Sequence, residues 1–98
     1  MKTITLDIRD ICEADSLHGY LRARLGFNEY YGCNLDALYD ELTSICEDTH
    51  IHLIYSKKNK DAAYIHYLQR VLGVFQDAEN ENSGLSFAKE QIEKTSTE

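Results

Sequence analysis

The sequence is short of several features that would place it in particular protein classes. It has only three cysteines among its 98 residues, an odd number without the paired spacing of a zinc site or a disulfide framework. No apolar run approaches the roughly 20 residues that a transmembrane helix needs. The first residues also lack the apolar stretch of a signal peptide. We therefore expect a cytoplasmic protein whose thiols are free and whose fold depends on its core.

Positive charge is also scarce. The chain has 10 lysines and arginines against 17 aspartates and glutamates, which gives a formal net charge of -7. This balance argues against direct binding of nucleic acid or of an anionic membrane, because both carry negative charge themselves. It favours a basic partner, which an acidic protein attracts over long distances. An acidity that serves only solubility is the alternative interpretation.

The side-chain combinations typical of enzymes and cofactor sites are missing as well. The five glycines are scattered and form no phosphate-binding loop. His50 and His52 could ligate a metal from one strand, but no cluster of acids or cysteines accompanies them at a suitable spacing. Cys33 precedes a predicted helix, yet no base and orienting group can be assigned to it. We expect no enzymatic activity, no metal and no cofactor.

Alternating apolar and polar residues predict strands over residues 3–8, 50–55 and 85–87. Between them, the 3.6-residue period predicts helices that begin after caps at Asp15 or Ser16, at Asn34 and at Asp61. Helical crossovers imply that the strands run parallel. The predicted fold is α/β, a small three-stranded parallel sheet packed by three to four helices. It forms one domain over residues 1–88, followed by a polar tail over residues 89–98.

The predicted central helix has two different faces. Leucines recur at i, i+3 and i+7 and form an apolar stripe that must face the core: Leu35, Leu38 and Leu42. A polar stripe recurs at i, i+4 and i+7 on another face: Asp36, Asp40 and Thr43. Asp36 lies in the first turn, where the helix dipole favours an anion, but no such effect compensates Asp40 for its neighbouring like charge. Carboxylates so placed suit a cationic partner.

Tyrosines flank this acidic helix. Tyr30 and Tyr31 precede it and Tyr39 lies within it, and we expect one member of the Tyr30 and Tyr31 pair to be buried beneath the helix. Exposed aromatic side chains supply contact area in protein interfaces.

Near the end of the last predicted helix, Asp77 and Glu81 are again four residues apart, where acids oppose the negative end of the helix dipole. A binding function would explain these unfavourable positions.

The middle of the chain also carries a family resemblance. The runs Glu29-Tyr30-Tyr31-Gly32 and Asn34-Leu35-Asp36-Ala37-Leu38, followed by an aromatic residue and Asp40, resemble the signature of the barstar family. Members of this family are small inhibitors of ribonucleases such as barnase. Weaker similarity extends in register on both sides, over residues 15–18 and 71–75.

The resemblance implies both a fold and a function. The fold is a three-stranded parallel sheet packed by helices, in agreement with the pattern above. The function is that of a monomeric intracellular inhibitor, which blocks the basic active-site cleft of a ribonuclease with an acidic helix and an aromatic loop. An immunity protein against a nuclease toxin would work in the same way. The residues that the resemblance assigns to partner binding, with Asp40 as the main anchor, are Tyr30, Asp36, Tyr39, Asp40, Thr43, Asp77 and Glu81.

Some positions depart from the family pattern. Cys33 stands where the best-known member has an acidic residue, Asn28 replaces a proline, and Tyr39 and Ile45 replace tryptophans. These changes alter the rim of the predicted surface and leave the identity of the target open. One alternative is a regulatory adaptor that docks its acidic face on a basic protein without inhibiting it. A small enzyme built around Cys33 or His52 is a further alternative.

Overall fold

A computed structural model describes residues 1–93 of the chain. Its elements follow in the order β1 (Lys2–Asp7), α1 (Ala14–Leu25), α2 (Leu35–Thr43), β2 (Thr49–Tyr55), α3 (Ala62–Glu81) and β3 (Leu85–Gln91). The predicted α/β class with three parallel strands is confirmed. Within residues 1–93 there are three helices, the lower end of the predicted range.

The sheet has the strand order β1-β2-β3, which the sequence had left open. The connections from β1 to β2 and from β2 to β3 both lead to the next strand on the same side. Because such connections are right-handed, they place all the helices on one face of the sheet. The burial of β2 agrees with this arrangement. Ile51 and Leu53 are fully buried on the helical face, whereas His50, His52 and Ile54 are only half-buried on the other. The alternating pattern that predicted this strand is therefore matched by its burial.

The core lies between the sheet and the helices. Leu6 and Ile51 from the sheet and Phe75 from α3 have no exposed surface. The rings of Phe75 and Phe87 stack with their centroids 5.0 Å apart, so α3 is joined directly to β3. Each large apolar side chain buried in this way contributes roughly 1.5–3 kcal/mol. The core therefore fixes the position of α3, against which α2 packs.

The start of α1 differs from the prediction. The helix begins at Ala14, and its N-cap residue Glu13 makes no side-chain capping bond. The predicted caps at Asp15 or Ser16 are wrong because both residues lie inside the first turn, where the Asp15 carboxylate faces the positive end of the helix dipole. The helix ends at Leu25 and is followed by a glycine. Gly26 adopts the left-handed conformation at φ 74°, which glycine accepts without steric cost.

Strand β3 runs four residues beyond its predicted end at Phe87, as far as Gln91. Residues 88–91 are exposed and carry no alternating pattern that would predict a strand. They remain extended because they pair with residues 52–55 of β2. The Ile92 amide continues this pairing and donates to the Tyr55 carbonyl at 2.9 Å. Residues 94–98 of the predicted tail lie outside the described part of the chain.

A helix side chain accepts a hydrogen bond from a backbone amide on each edge of the sheet. The Asp7 amide of edge strand β1 donates to the Tyr20 hydroxyl at 3.0 Å. On the opposite edge, the Phe87 amide of β3 donates to Glu79 Oε2 at 2.8 Å. Backbone groups on edge strands would otherwise be available to pair with a strand of another chain. These bonds reduce the number of free donors on each edge.

A fully buried histidine joins the elements around α1. His18 Nδ1 lies 2.8 Å from the Tyr31 hydroxyl, and His18 Nε2 is hydrogen-bonded to the Tyr67 hydroxyl. Tyr31 belongs to the segment before α2, and Tyr67 belongs to α3. Both ring nitrogens are therefore satisfied, as a buried polar group requires. Burial lowers the pKa of His18 below its usual value of 6.5, and the nearby Asp15 opposes this change to a smaller extent.

We predict that this histidine makes folding stability depend on pH. Because the pKa of His18 is lower in the folded chain, the unfolded chain binds a proton first as pH falls. Stability from this group is complete above about pH 6.5 and falls as pH drops from there towards the folded pKa, by at most about 1.4 kcal/mol per pH unit. Urea denaturation of the wild type and of His18→Gln at several pH values measures the effect. Equal pH slopes for the two proteins would contradict it.

Candidate functional site

Helix α2 begins at the predicted cap. Asn34 has an extended backbone, and its side-chain oxygen accepts a hydrogen bond from the Ala37 amide at 2.8 Å. This bond satisfies one of the free amides at the start of the helix. Asp36 lies in the first turn, next to the positive end of the helix dipole. The capping bond sets where α2 begins, and this start determines which turn of the helix carries each carboxylate.

The two predicted faces of α2 are present in the structure. Leu38 and Leu42 are fully buried, and Leu35 is half-buried. Asp36 and Asp40 are both exposed. The leucines therefore hold the helix against the core, whereas the carboxylates face away from it.

The loop before α2 divides its two tyrosines between core and surface. Tyr31 is only 7% exposed, and its ring packs on Phe27 with centroids 4.9 Å apart. Its neighbour Tyr30 is 85% exposed. The Asn28 side chain accepts a hydrogen bond from the Tyr30 amide at 2.8 Å, which forms the turn that separates the two rings. The prediction that one of the pair is buried is confirmed.

A close backbone contact joins this loop to α2. A Cβ atom on Gly32 would lie 3.1 Å from Asn34 Nδ2 and 3.4 Å from the Ala37 side chain. The Asn34 amide group also donates to the Gly32 carbonyl at 3.2 Å. Between them, Cys33 has a left-handed backbone at φ 53°, a conformation that costs a non-glycine residue roughly 1–2 kcal/mol. This sharp turn lies between Tyr30 and the start of α2.

Helices α2 and α3 border an open groove of about 550 Å³. Its walls are formed by Leu35, Asp36, Tyr39 and Asp40 from α2 and by Arg70, Gly73, Val74 and Asp77 from α3. The groove thus brings together two acidic residues of α2 with one of α3, which are far apart in sequence. It includes four of the residues that the sequence assigned to partner binding.

The other three predicted residues do not line this groove. Tyr30 lies on the preceding loop, and Glu81 is the exposed last residue of α3. Thr43 is half-buried, and its hydroxyl donates to the carbonyls of Tyr39 at 2.9 Å and Asp40 at 3.1 Å. The Thr43 hydroxyl is therefore bonded within α2 in the unbound chain.

The carboxylates of the groove have no cationic partner within the described chain. The ion pairs found over residues 1–93 are Lys2 with Glu47 and Arg9 with Asp7, together with the contact of His52 with Glu90, which is an ion pair only when the histidine is protonated. None of them includes Asp36, Asp40 or Asp77. Three negative charges and one positive charge therefore line one open groove, so its field is suited to a positively charged surface.

Two residues of this region were missed by the sequence analysis. Arg70 lies seven residues before Asp77 on the same face of α3, so extending that helical stripe backwards would have found it. Asn82 gave no comparable signal. Its amide nitrogen donates to the carbonyls of Leu42 at 3.2 Å and Ile45 at 3.0 Å. These bonds join the end of α3 to the last turn of α2 and to the residue just beyond its cap.

The histidines considered as metal ligands have other partners. His50 Nδ1 lies 2.9 Å from the Ser86 hydroxyl, and His52 Nε2 lies 3.1 Å from Glu90 Oε1. Across residues 1–93, no three histidine, cysteine or acidic side chains are grouped so that they could hold a metal ion. Within the same residues, no helix has the length and apolar character needed to cross a membrane.

Comparison with known proteins gives two matches. The family model described as Barstar (barnase inhibitor) matches residues 1–91. A Bacillus subtilis (strain 168) protein named "Putative ribonuclease inhibitor YrdF" is 37% identical over 82 residues, which cover 83% of this chain and 89% of that protein. The family match includes the loop before α2, the two helices that border the groove, and all three strands.

Proposed function

Because this chain belongs to the barstar family, we propose that it inhibits a ribonuclease by occupying the enzyme's basic active-site cleft with α2 and the Tyr30 loop. The main support is the exposure of Asp36 and Asp40 on a helix whose opposite face is buried through Leu38 and Leu42. The core holds the helix in place, and its carboxylates remain available to another protein.

The mechanism requires no catalysis by the inhibitor. A ribonuclease binds the phosphates of RNA through lysine, arginine and histidine side chains, and carboxylates can form charge-assisted hydrogen bonds with the same groups. Asp36 and Asp40 are four residues apart, or about 6 Å along the helix axis, so they can reach two neighbouring cations. Asp77 adds a third carboxylate from the opposite wall. RNA cannot bind while these groups occupy its phosphate sites.

Aromatic side chains supply the apolar part of the proposed interface. Tyr30 is 85% exposed and Tyr39 is 36% exposed, the largest values for aromatic residues in the described chain. Tyrosine is enriched at protein interfaces because it buries a large area and loses little conformational entropy. We place Thr43 and Glu81 at the rim of the same interface, beyond the groove.

The same proposal includes the setting in which the inhibitor acts. It works in the cytoplasm as a monomer, without a metal or cofactor, and protects RNA inside the cell that makes it. An immunity protein for a nuclease toxin would meet these requirements. The net charge of -7 speeds its encounter with a basic enzyme.

Co-expression with a nuclease encoded next to this chain tests the function in cells. We expect cells that make both proteins to survive and cells that make the nuclease alone to die, because the inhibitor blocks the active site. An Asp36→Asn and Asp40→Asn double variant, which retains the shape of both side chains, should fail to protect. A parallel assay follows RNA cleavage by the purified nuclease and by barnase as the inhibitor is added. Binding without loss of cleavage would favour the regulatory adaptor, and the absence of any binding would contradict both functions.

A further inference from the structure

The α3 wall of the groove differs in chemistry from the α2 wall. It consists of Arg70, Gly73, Val74 and Asp77, at i, i+3, i+4 and i+7, the spacing of one helix face. The α2 wall contributes two carboxylates and a tyrosine. The α3 wall instead combines one positive charge, one position without a side chain and one negative charge.

Nothing within the described chain requires glycine at position 73. Gly73 lies in the interior of the 20-residue helix α3 with an ordinary right-handed backbone. Apart from its chain neighbours and the backbone of its own helix, a Cβ atom there would meet no atom within 4 Å. Glycine at such a position costs roughly 1 kcal/mol relative to alanine. Its effect is to leave open space in the groove beside Arg70, which a side chain of another protein can enter.

Arg70 is the one basic residue that lines the groove. It takes part in none of the ion pairs found over residues 1–93, although three carboxylates line the same space. An arginine here repels a partner whose contact surface is uniformly basic. It attracts a carboxylate, which the planar guanidinium can bind through two parallel hydrogen bonds.

From these two residues we infer the kind of ribonuclease that the groove selects, an inference that depends on the proposed function. The selected enzyme presents an acidic side chain beside its basic phosphate-binding residues. That side chain enters the space over Gly73 and pairs with Arg70, while Asp36, Asp40 and Asp77 bind the surrounding cations. Arg70 thereby discriminates against basic proteins that lack the acidic group, because their binding would leave two positive charges facing each other.

Charge reversal at Arg70 tests the inference. Inhibition constants are measured against the co-encoded nuclease, with barnase as a second probe, for the wild type, Arg70→Glu and Arg22→Glu. Arg22 is an exposed residue of α1, so its variant has the same net charge without changing the groove. We expect Arg70→Glu to weaken inhibition of the co-encoded nuclease at least about tenfold, and Arg22→Glu to change it less than about threefold. Substitution of the facing acid of the nuclease by lysine should restore inhibition by Arg70→Glu.

A pair of glycine substitutions tests the space beside Arg70. Gly73→Leu fills the groove, whereas Gly19→Leu places the same side chain on α1, where a Cβ atom also meets nothing within 4 Å. Both variants should raise the thermal midpoint because leucine forms helix better than glycine. Only Gly73→Leu should weaken inhibition, by about tenfold or more. A loss of inhibition in a stabilised protein cannot result from unfolding.

The outcomes separate this inference from the function on which it depends. If the wild type inhibits the nuclease but Arg70→Glu binds equally or more tightly, the selection of an acidic group is wrong and the inhibitory function stands. Equal inhibition by Gly73→Leu and Gly19→Leu would likewise overturn the role of the open space. If the wild type inhibits neither enzyme, the proposed function itself fails, together with the inference.

Discussion

Replacing Asp40 with alanine should weaken the complex with the ribonuclease by at least about 2 kcal/mol, the threshold for an interface hot spot, a concept for which the barnase and barstar pair is itself a standard example. The structural reason is that Asp40 is exposed, lines the groove and has no ion-pair partner within residues 1–93. In the complex its carboxylate would be removed from water among the cations of the enzyme. Truncation would leave those buried cations without their counter-ion. Isothermal titration calorimetry or inhibition kinetics measures the loss.

Three comparisons identify the cause of this loss. Asp40→Asn retains the shape of the side chain and should lose nearly as much affinity, because the charge is what binds. Glu47→Ala removes an exposed acid that pairs with Lys2, and we expect it to change affinity by less than about 0.5 kcal/mol. The unfolding free energy of Asp40→Ala should also stay within about 0.5 kcal/mol of the wild type. An affinity loss below about 0.5 kcal/mol would place the main anchor elsewhere.

Replacing Leu38 with alanine should lower the unfolding free energy by about 2–5 kcal/mol. Leu38 has no exposed surface and belongs to the face of α2 that is buried in the core. The substitution removes buried apolar area and leaves a cavity that the surrounding side chains fill only partly. Since small domains are stable by roughly 5–15 kcal/mol, much of the total would be lost. Equilibrium denaturation in urea gives the value directly.

Leu35 provides the matched control for this substitution. It lies on the same helix but is only half-buried at the groove, so Leu35→Ala should cost less than about 2 kcal/mol. Below the denaturation transition, the folded fraction of Leu38→Ala should still bind the ribonuclease, because its carboxylates are unchanged. A stability loss below about 1 kcal/mol for Leu38→Ala would mean that α2 is not held by the core.

The sequence was sufficient to predict α2 because the signals involved are local. The leucine stripe, the carboxylate stripe and the Asn34 cap all lie within one short segment, and the helical period alone separates the two faces. The same reasoning predicted the Asp61 cap of α3, whose side chain accepts from the Tyr64 amide. The class of partner was predicted from the family resemblance, because hydrophobic periodicity carries no information about binding partners.

The features that could not be predicted depend on residues distant in the chain. The hydroxyls that bond His18 are 13 and 49 residues away from it, and Asn82 bonds carbonyls 40 and 37 residues before it. The end of β3 was missed because its polar residues have no strand pattern and are held by pairing with β2. The error at Asp15 has a different, local cause, because an acidic residue is favoured both at the cap and in the first turn of a helix.

The groove could be predicted only in part. Asp36 and Asp40 were found from α2, and Asp77 was found from the end of α3, but their meeting in one space depends on how the two helices pack. Arg70 was overlooked because a single basic residue on an exposed helix face is common. The proposed role of Arg70 in selecting a partner depends on three acidic residues, and only the tertiary structure brings them into the same groove.

The side chain of Asn82 also bears on the thermodynamics of association. Its two hydrogen bonds hold the ends of α2 and α3 together in the unbound chain, so the spacing between the carboxylates on the two walls is set before any encounter. Such preorganisation spares the complex the entropy loss of ordering a flexible binding surface. Association should therefore resemble rigid-body docking, with affinity expressed mainly as a slow dissociation rate.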